Sequence, residues 1–268
     1  MKIIDAHLHF AKDFYFDKIA IAAGHENNAE HLAKCYKELG IVRGVVMSNG
    51  SLNVKNQQYP KFLSYCIGLD NFVFNNWQNS LALIEENLKR RECVGIKLYP
   101  GYIHFYVSDD NLAPLYKLAV KYNKPVAVHT GLTASSNAML KYSHPMVIDE
   151  AAAKFPDVRF VMCHLGEPLI SEAVMVLCKN ANVSADLSGM LEGKIPDMEE
   201  FLTKNKFYVD QLRGWLEYLE DFTRIMFGTD FPLANLEDYI EFVKAFIPQS
   251  EWNQVFYQSA VDIYHLED

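Results

Sequence analysis

The sequence has few cysteines, and they are not spaced for pairing. There are five, an odd number, scattered along the chain without a C-x-x-C pair: Cys35, Cys66, Cys93, Cys163 and Cys178. This usage excludes a disulfide framework of the kind that holds small secreted domains together. We therefore expect a protein of a reducing compartment.

Long hydrophobic runs are also absent. No window approaches the ~20 apolar residues of a membrane-spanning helix. The N-terminal segment MKIIDAHLHF meets a charge at Asp5 before the apolar region of a signal peptide can form. The sequence therefore predicts a cytoplasmic protein without a membrane partner.

Positive charge is scarce. The chain has 25 Lys and Arg against 34 Asp and Glu, a formal net charge of −9 with histidine neutral. A phosphate backbone would on average be repelled by such a chain. The basic run at 89–91 ends a helical pattern, where the helix dipole favours cations. Nucleic acid is therefore not an expected partner.

Apolar residues, in contrast, are plentiful. Of the 268 residues 50% are hydrophobic and 22% charged, which permits a sizeable core and excludes a disordered chain. Short apolar runs, many of them continuous as in VRGVVM and PVAVH, are typical of strands covered on both faces. Eight such strands are predicted, at 2–8, 41–47, 65–69, 94–98, 125–129, 158–164, 183–187 and 224–227.

Stretches of helical periodicity lie between these strands. Apolar residues recur at spacings of three and four in segments 29–39, 80–91, 111–122, 145–155 and 169–180. Eight strand-helix units average about 34 residues each, which suits the ~250 residues of a closed barrel. We therefore predict an α/β fold, a (β/α)8 TIM barrel, as a single domain over residues 1–268. An open doubly wound sheet is the alternative, but its glycine-rich phosphate turn after the first strand is missing.

Histidines and one aspartate occur at the C-terminal ends of four predicted strands, where barrels of this kind carry their active sites. His7 and His9 lie two apart, so both side chains can leave one face of a strand. His129, His164 and Asp230 follow strands five, six and eight. Imidazole with carboxylate suits Zn, Mn or Fe, and an open coordination position marks a catalytic site.

The remaining histidines are not predicted to join this group. Four of them lie in predicted loops or helices and are expected at the surface: His25, His31, His144 and His265. His104, which follows the fourth strand closely, is retained as a candidate pocket residue.

The motifs resemble those of a known family. The D-x-H-x-H opening, GIKLYP, VHTG, CHLG and GTDFP, in this order, are similar to motifs of the amidohydrolase superfamily and its amidohydrolase-2 branch. That branch holds hydrolases, lactonases and aminocarboxymuconate-semialdehyde decarboxylase-like enzymes. The resemblance implies a distorted (β/α)8 barrel whose divalent metal, zinc above all, is held by His7, His9, His129 and Asp230. It places His164 near the metal-bound water or on a second ion.

Lys97, in the GIKLYP motif, has three interpretations. Binuclear members of the superfamily carry a carboxylated lysine on strand four that bridges two metals, and the resemblance puts Lys97 at that strand. It could equally bind a substrate carboxylate or pair with an acidic side chain. The number of ions, one or two, depends on which interpretation holds.

For the reaction, the resemblance implies hydrolysis of a small-molecule amide, ester or lactone by metal-activated water. Asp230 would act as general base and then acid, and His164 would orient the water or stabilise the oxyanion. The same residues could instead run nonoxidative decarboxylation of a small carboxylic acid. TatD-type nucleases share the H-x-H opening but place a glutamate-containing segment where this chain has GIKLYP. A noncatalytic metal-binding barrel is the remaining alternative.

The loops after the strands should select the substrate. Three predicted loops are long, at 10–28, 130–144 and 188–221, the last with helices of its own. Tyr99 and Tyr102 are predicted to line the pocket, and Lys97, His104 and Arg213 are the candidates to bind an anionic substrate. Exposed helices of such a barrel are also compatible with a homodimer.

Overall fold

The computed structural model describes residues 1–11, 13–69 and 77–266, and its centre is one eight-stranded parallel sheet. The strands neighbour each other in sequence order, as in a (β/α)8 barrel. They are β1 Ile3–Leu8, β2 Ile41–Met47, β3 Leu63–Leu69, β4 Cys93–Leu98, β5 Val126–His129, β6 Phe160–Cys163, β7 Val183–Asp186 and β8 Ile225–Met226. The prediction of eight strands is confirmed, and the predicted bounds differ from these by at most two residues.

The last strand returns to the first. Leu8 pairs with Phe231 in parallel, beyond the two residues of β8. The Ala6 amide donates to the Phe227 carbonyl at 2.9 Å, and the Asp230 amide donates to the His7 carbonyl at 2.8 Å. These bonds nearly close the barrel and bring the residues after β8 beside the end of β1.

Helices follow the strands and cover the outside of the barrel. Within the described residues they are α1 Phe14–Ala22, α2 Ala29–Leu39, α3 Trp77–Leu88, α4 Pro100–Ile103, α5 Ala113–Lys121, α6 Met146–Lys154, α7 Ile170–Lys179, α8 Met198–Lys204, α9 Lys206–Leu219, α10 Leu236–Phe246 and α11 Ser259–Tyr264. The five helices expected from periodicity are present. None of the described helices is both long and apolar enough to pass through a lipid bilayer.

Helix α1 lies within the segment 10–28, which sequence analysis predicted to be a long loop. The Asp13 side chain accepts the Tyr15 amide at 2.7 Å and so caps the helix N-terminus. Only Ala20 of this helix is buried, and Phe14 is 84% exposed. The apolar residues of α1 do not form a stripe directed at the core, which is why helical periodicity could not reveal this helix.

The core has two layers separated by the strands. Alternate strand residues such as Val46 pack outward against the helices, whereas their neighbours Val45 and Met47 belong to a second cluster inside the barrel. Small side chains such as Ala6 and Ala127 belong to this inner cluster. The interior of the barrel is therefore packed with apolar side chains below the C-terminal ends of the strands, where the polar residues lie.

Candidate metal centre

The predicted histidines and Asp230 meet above the C-terminal ends of the strands. His7 Nε2 and His9 Nε2 lie 3.5 and 3.3 Å from the same atom, Asp230 Oδ1. The centroid of the His164 ring lies 4.7 Å from the centroid of the His7 ring and 4.7 Å from that of the His129 ring. Five side chains from four strand ends thus form one continuous group.

Two atoms of this group indicate what the site accommodates. His7 Nε2 and Asp230 Oδ1 are buried, and neither has a hydrogen-bond partner among the described residues. Orphaned buried polar atoms are costly unless an ion or ligand satisfies them. Their positions, with His9 Nε2 beside them, suit a shared cation, and these three ligand atoms lie within 4.8 Å of one another.

The two histidines of β1 are held with their protons pointing away from the site. His7 Nδ1 lies 2.9 Å from Asp186 Oδ2, and His9 Nδ1 lies 3.1 Å from the Met47 carbonyl oxygen. Carboxylate and carbonyl oxygens only accept, so each Nδ1 must donate. In the neutral imidazoles both Nε2 atoms are then unprotonated and available as ligands.

His129 and His164 are oriented in the same way. His129 Nε2 lies 2.9 Å from the Leu132 carbonyl oxygen, and His164 Nδ1 lies 3.1 Å from the Ser188 carbonyl oxygen. These nitrogens carry the protons, which leaves His129 Nδ1 and His164 Nε2 unprotonated and 3.1 Å apart. Two lone pairs this close repel each other unless a cation lies beside them.

Burial keeps the imidazoles in the form that binds metal. It lowers the pKa of His7 to about 4 and holds the pKa values of His129 and His164 below their usual range, with the Lys97 charge adding to each shift. Burial raises the pKa of Asp230, but its proximity to His9, His7 and His164 outweighs burial and leaves that pKa below its usual value. Neutral imidazoles around an ionised carboxylate fit a divalent ion such as Zn, Mn or Fe.

Sequence reasoning missed Asp186, which orients two of these histidines. Its Oδ2 accepts from His7 Nδ1, and its Oδ1 accepts the His164 amide at 3.0 Å and the Ser188 hydroxyl. The available signal was its position at the end of the seventh predicted strand, in the segment SADLSG. Asp186 is fully buried, and its contact with His7, including the hydrogen bond from Nδ1, holds its pKa low against the effect of burial.

Asp5, the first residue of the D-x-H-x-H motif, does not face the cavity. Its Oδ2 accepts the Thr229 hydroxyl at 2.6 Å and the Tyr36 hydroxyl at 3.0 Å, and its Oδ1 accepts the Thr229 amide. Burial raises the pKa of Asp5 to about 7, and the Thr229 bonds oppose that rise. Asp5 therefore ties β1 to the segment that carries Asp230.

The backbone is unusual at two of the site residues. His164 and Asp230 have φ values of 63° and 59°, a region that non-glycine residues rarely adopt. Gly189, with φ of 68°, lies against them: an added Cβ would be 2.7 Å from His164 Nδ1 and 3.1 Å from Asp230 Oδ2. Glycine at 189 thus allows close approach of the backbone to both site residues.

A cavity of about 610 Å³ opens above the group. Its floor includes His9, His129, His164 and Asp230. The walls come from helix α1 and from the segments after several strands, and the residues that define them are Tyr15, Phe16, Asn49, Tyr99, Tyr102, Ser135 and Ser136. Tyr99 and Tyr102 thus lie where sequence analysis expected them, whereas Tyr15 and Phe16 reach the cavity through a helix that it did not predict.

The three cationic candidates lie elsewhere. Lys97 is fully buried, and its Nζ donates to Cys163 Sγ at 2.8 Å. His104 is exposed and bonds to the Asn137 carbonyl through Nε2 at 2.9 Å. Arg213, on α9, donates to the Ala245 carbonyl at 2.6 Å and to Asp210. None of the three is among the residues that line the cavity.

The expectation that His25 is exposed is wrong. The ring is 8% exposed, packs against Phe231, and accepts the Leu236 amide at Nε2 at 3.0 Å. With Nε2 accepting, Nδ1 carries the proton and donates to His31 Nε2 at 2.9 Å. Cys35 Sγ lies 3.3 Å from His31 Nε2. The proton on His25 Nδ1 occupies the position that a metal would need, so this cluster fits a hydrogen-bonded link between α2 and the start of α10.

Solved structures with the same fold include proteins of different activities. An uncharacterised TIM-barrel protein from Bordetella bronchiseptica matches with a TM-score of 0.73 at 19% identity, over 99% of both chains. A 2,6-dihydroxybenzoate decarboxylase from Rhizobium matches with a TM-score of 0.70 at 12% identity, over 100% of both chains. A probable 2-pyrone-4,6-dicarboxylic acid hydrolase from Acinetobacter baumannii matches with a TM-score of 0.64 at 16% identity, over 99% of this chain and 100% of that one. At these identities the likeness shows the TIM-barrel fold.

Two sequence comparisons are more specific. Protein fluG of Emericella nidulans is 32% identical over 108 residues, which are 40% of this chain and only 11% of that protein. The amidohydrolase family model of the amidohydrolase-2 branch matches residues 4–266, nearly the whole chain. The chain therefore belongs to the amidohydrolase-2 family.

Proposed function

We propose that the protein is a metal-dependent hydrolase of small-molecule amides, esters or lactones. One observation carries this proposal: the unprotonated Nε2 atoms of His7 and His9 lie within 4.8 Å of Asp230 Oδ1, beside the cavity that Asp230, His9, His129 and His164 line. His7, His9, His129 and Asp230 would hold one divalent ion, with zinc the best match to the donors and Mn or Fe also suited. When bound, such an ion polarises a carbonyl group and lowers the pKa of a coordinated water from about 15.7 to about 7.

Asp230 is the residue to which we assign proton transfer. Its pKa lies below the usual aspartate value, so the carboxylate is ionised at neutral pH and can accept the proton of the attacking water. The proton then passes from Asp230 to the leaving group of the substrate. The carboxylate lies at the cavity floor, where both the water and the scissile carbonyl must meet.

His164 is assigned the orientation of that water. Its Nδ1 is fixed on the Ser188 carbonyl, so Nε2 can accept a hydrogen bond from a water molecule at the cavity floor. Stabilisation of the tetrahedral oxyanion, the other role considered for His164, would need a proton on Nε2. The lowered pKa of His164 makes that form minor at neutral pH.

Nonoxidative decarboxylation is the second candidate. One feature of the cavity walls favours it: the rings of Phe16, Tyr99 and Tyr102 suit an aromatic acid. In that reaction Asp230 would protonate the carbon that loses carbon dioxide. Decarboxylation needs Asp230 to start in its protonated form, whereas hydrolysis starts from the ionised carboxylate that its lowered pKa favours, so we place hydrolysis first.

Product analysis separates the two reactions. Protein loaded with zinc is incubated in 18O-water with panels of lactones, esters, amides and aromatic acids, alongside chelated protein and Asp230→Asn as controls. Hydrolysis predicts one 18O atom in the product carboxylate and no carbon dioxide. Release of carbon dioxide without uptake of 18O would contradict the hydrolase proposal.

A further inference from the structure

The cavity above the metal centre has polar walls but no cationic side chain. Within residues 1–11, 13–69 and 77–266, no lysine or arginine lines it. The polar groups away from the floor are tyrosine hydroxyls, the Asn49 amide and the hydroxyls of Ser135 and Ser136. A substrate that reaches beyond the metal ligands therefore meets uncharged hydrogen-bonding groups.

Lys97 is buried and does not line the cavity, so it is not a cationic wall residue. Its Nζ donates to Cys163 Sγ at 2.8 Å and lies 5.3 Å from the centre of the Tyr99 ring. The charges that act on Tyr15, in the cavity wall, are negative instead: after burial, Glu192 and Asp230 raise its pKa. A negatively charged group on the substrate, away from the reacting group, would lose its hydration in this cavity and gain no ion pair with a lysine or arginine of the wall.

Aromatic rings form the rest of the wall. Phe16 stacks on the His9 ring with centroids 5.3 Å apart, and Tyr102 meets the His129 ring edge to face at 5.1 Å. Two rings of the cavity wall thus pack directly onto histidines of the metal centre. A flat ring placed beside the scissile carbonyl would contact both of them.

We infer that the site selects substrates that are uncharged apart from the reacting group and carry a planar ring, such as aryl lactones and aryl esters. This inference rests on the proposed hydrolase function. It contrasts with the acids named for two of the proteins of similar fold, and it replaces the anionic substrate that the positions of Lys97, His104 and Arg213 in the sequence had suggested.

The test compares two sterically matched lactones. One is dihydrocoumarin with a ring carboxamide, and the other carries a carboxylate on the same carbon. With zinc-loaded protein, and after correction for alkaline hydrolysis without enzyme, we expect kcat/KM to favour the carboxamide by about 10- to 100-fold, the cost of burying an unpaired polar group. Equal rates, or faster hydrolysis of the carboxylate, would overturn the inference.

A designed charge provides the complementary test. Ser136 is exposed and lines the cavity, so Ser136→Arg can supply the missing cation without disturbing the core. We expect this variant to move the ratio about tenfold towards the carboxylated lactone, whereas the neutral control Ser136→Gln leaves it unchanged. An unchanged ratio in Ser136→Arg would overturn the inference. Lys12 lies outside the described residues, so its charge is tested separately. If the wild type prefers the carboxylated lactone and Lys12→Ala loses that preference, the inference is overturned.

Binding separates a failure of this inference from a failure of the proposed function. The corresponding lactams, dihydroquinolinone with the same carboxamide or carboxylate, resist hydrolysis and can be titrated calorimetrically into the zinc-loaded protein. Tighter binding of the neutral lactam without turnover of either lactone would reject hydrolase activity and keep the substrate class. Turnover of the lactones with a preference for the carboxylated one would keep the hydrolase proposal and reject the inferred substrate class.

Discussion

The His7 Nδ1 atom lies 2.9 Å from Asp186 Oδ2, and neither side chain has any exposed surface. The two residues are 179 positions apart in the chain. Through this bond Asp186 determines which nitrogen of His7 carries the proton, and thereby turns an unprotonated Nε2 towards Asp230 Oδ1. A carboxylate behind a ligating histidine also makes the imidazole a stronger ligand.

Asp186→Asn should therefore weaken metal binding. The amide nitrogen would donate to His7 Nδ1 and shift the imidazole proton to Nε2, where it blocks the ligand position. We expect affinity for zinc to fall by about 10- to 100-fold, measured by competition with a chromophoric chelator. Asp149→Asn, which removes a surface carboxylate bound to Lys179, serves as the control. Equal affinities for the wild type and Asp186→Asn would contradict the role of Asp186.

Asp230→Asn should abolish turnover through loss of the proton acceptor. The asparagine can still offer an oxygen ligand, so the fold and most of the bound metal should persist. We expect kcat to fall by about 100- to 10,000-fold. Metal content by mass spectrometry and circular dichroism accompany the kinetics. Near-normal turnover would remove Asp230 from its assigned role.

Metal removal should destabilise the protein, and the stoichiometry should be one ion per chain. Ligands that bind the folded state alone stabilise it by about 4 kcal/mol at 1,000 times Kd, so chelation should lower Tm and zinc should restore it.

Added bicarbonate should not raise the metal content, because Lys97 Nζ is buried against Cys163 Sγ. Two ions per chain in bicarbonate would instead support a carboxylated Lys97.

The stability of the metal-free protein should fall on acidification, in part through His25. Burial, with the charges of His31 and Lys194, lowers the pKa of His25 to about 4. Between pH 6.5 and 4 the unfolded chain binds this proton and the folded chain does not. The stability that His25 contributes is thus present above pH 6.5 and is lost as the pH falls.

Replacing His25 measures how much of the pH dependence of stability comes from this residue. His25→Gln keeps an acceptor for the Leu236 amide but cannot titrate. Chemical denaturation across this range should give a slope smaller by up to about 1.4 kcal/mol per pH unit in the variant. Parallel curves for the two proteins would exclude His25 as a source of the slope. His265→Gln, at an exposed histidine, is the control.

Phe227 and Phe256 stack with centroids 4.7 Å apart, and both are fully buried. Phe256→Ala should therefore lower the free energy of unfolding by about 3 to 5 kcal/mol, through lost burial and the cavity left behind. Phe207→Ala, at a position 76% exposed, should change it by less than about 0.5 kcal/mol. Denaturant titration of the metal-free proteins measures both, and similar losses in the two variants would refute this account of the core.

Much of this architecture could be predicted because local pattern determines it. Short apolar runs, many of them continuous, predicted the eight strands, and the positions of His7, His9, His129, His164 and Asp230 at strand ends predicted that they lie close together. Helix α1 could not be predicted in this way, since it buries a single residue and so has no periodic apolar face. The burial of His25 likewise depends on contacts with Phe231 and Leu236, which lie more than two hundred positions away.

The sequence by itself determined the barrel, its family motifs and the residue types of the metal centre, because strand periodicity and strand-end placement are local properties. Only the tertiary structure decided which nitrogen of each histidine faces the site, since the acceptors Asp186, Met47, Leu132 and Ser188 come from the segments packed around it. Three-dimensional packing likewise decided the partners of Lys97 and Arg213, which donate to Cys163 Sγ and to the Ala245 carbonyl and do not line the cavity. That placement leaves the cavity walls without a lysine or arginine in the described residues.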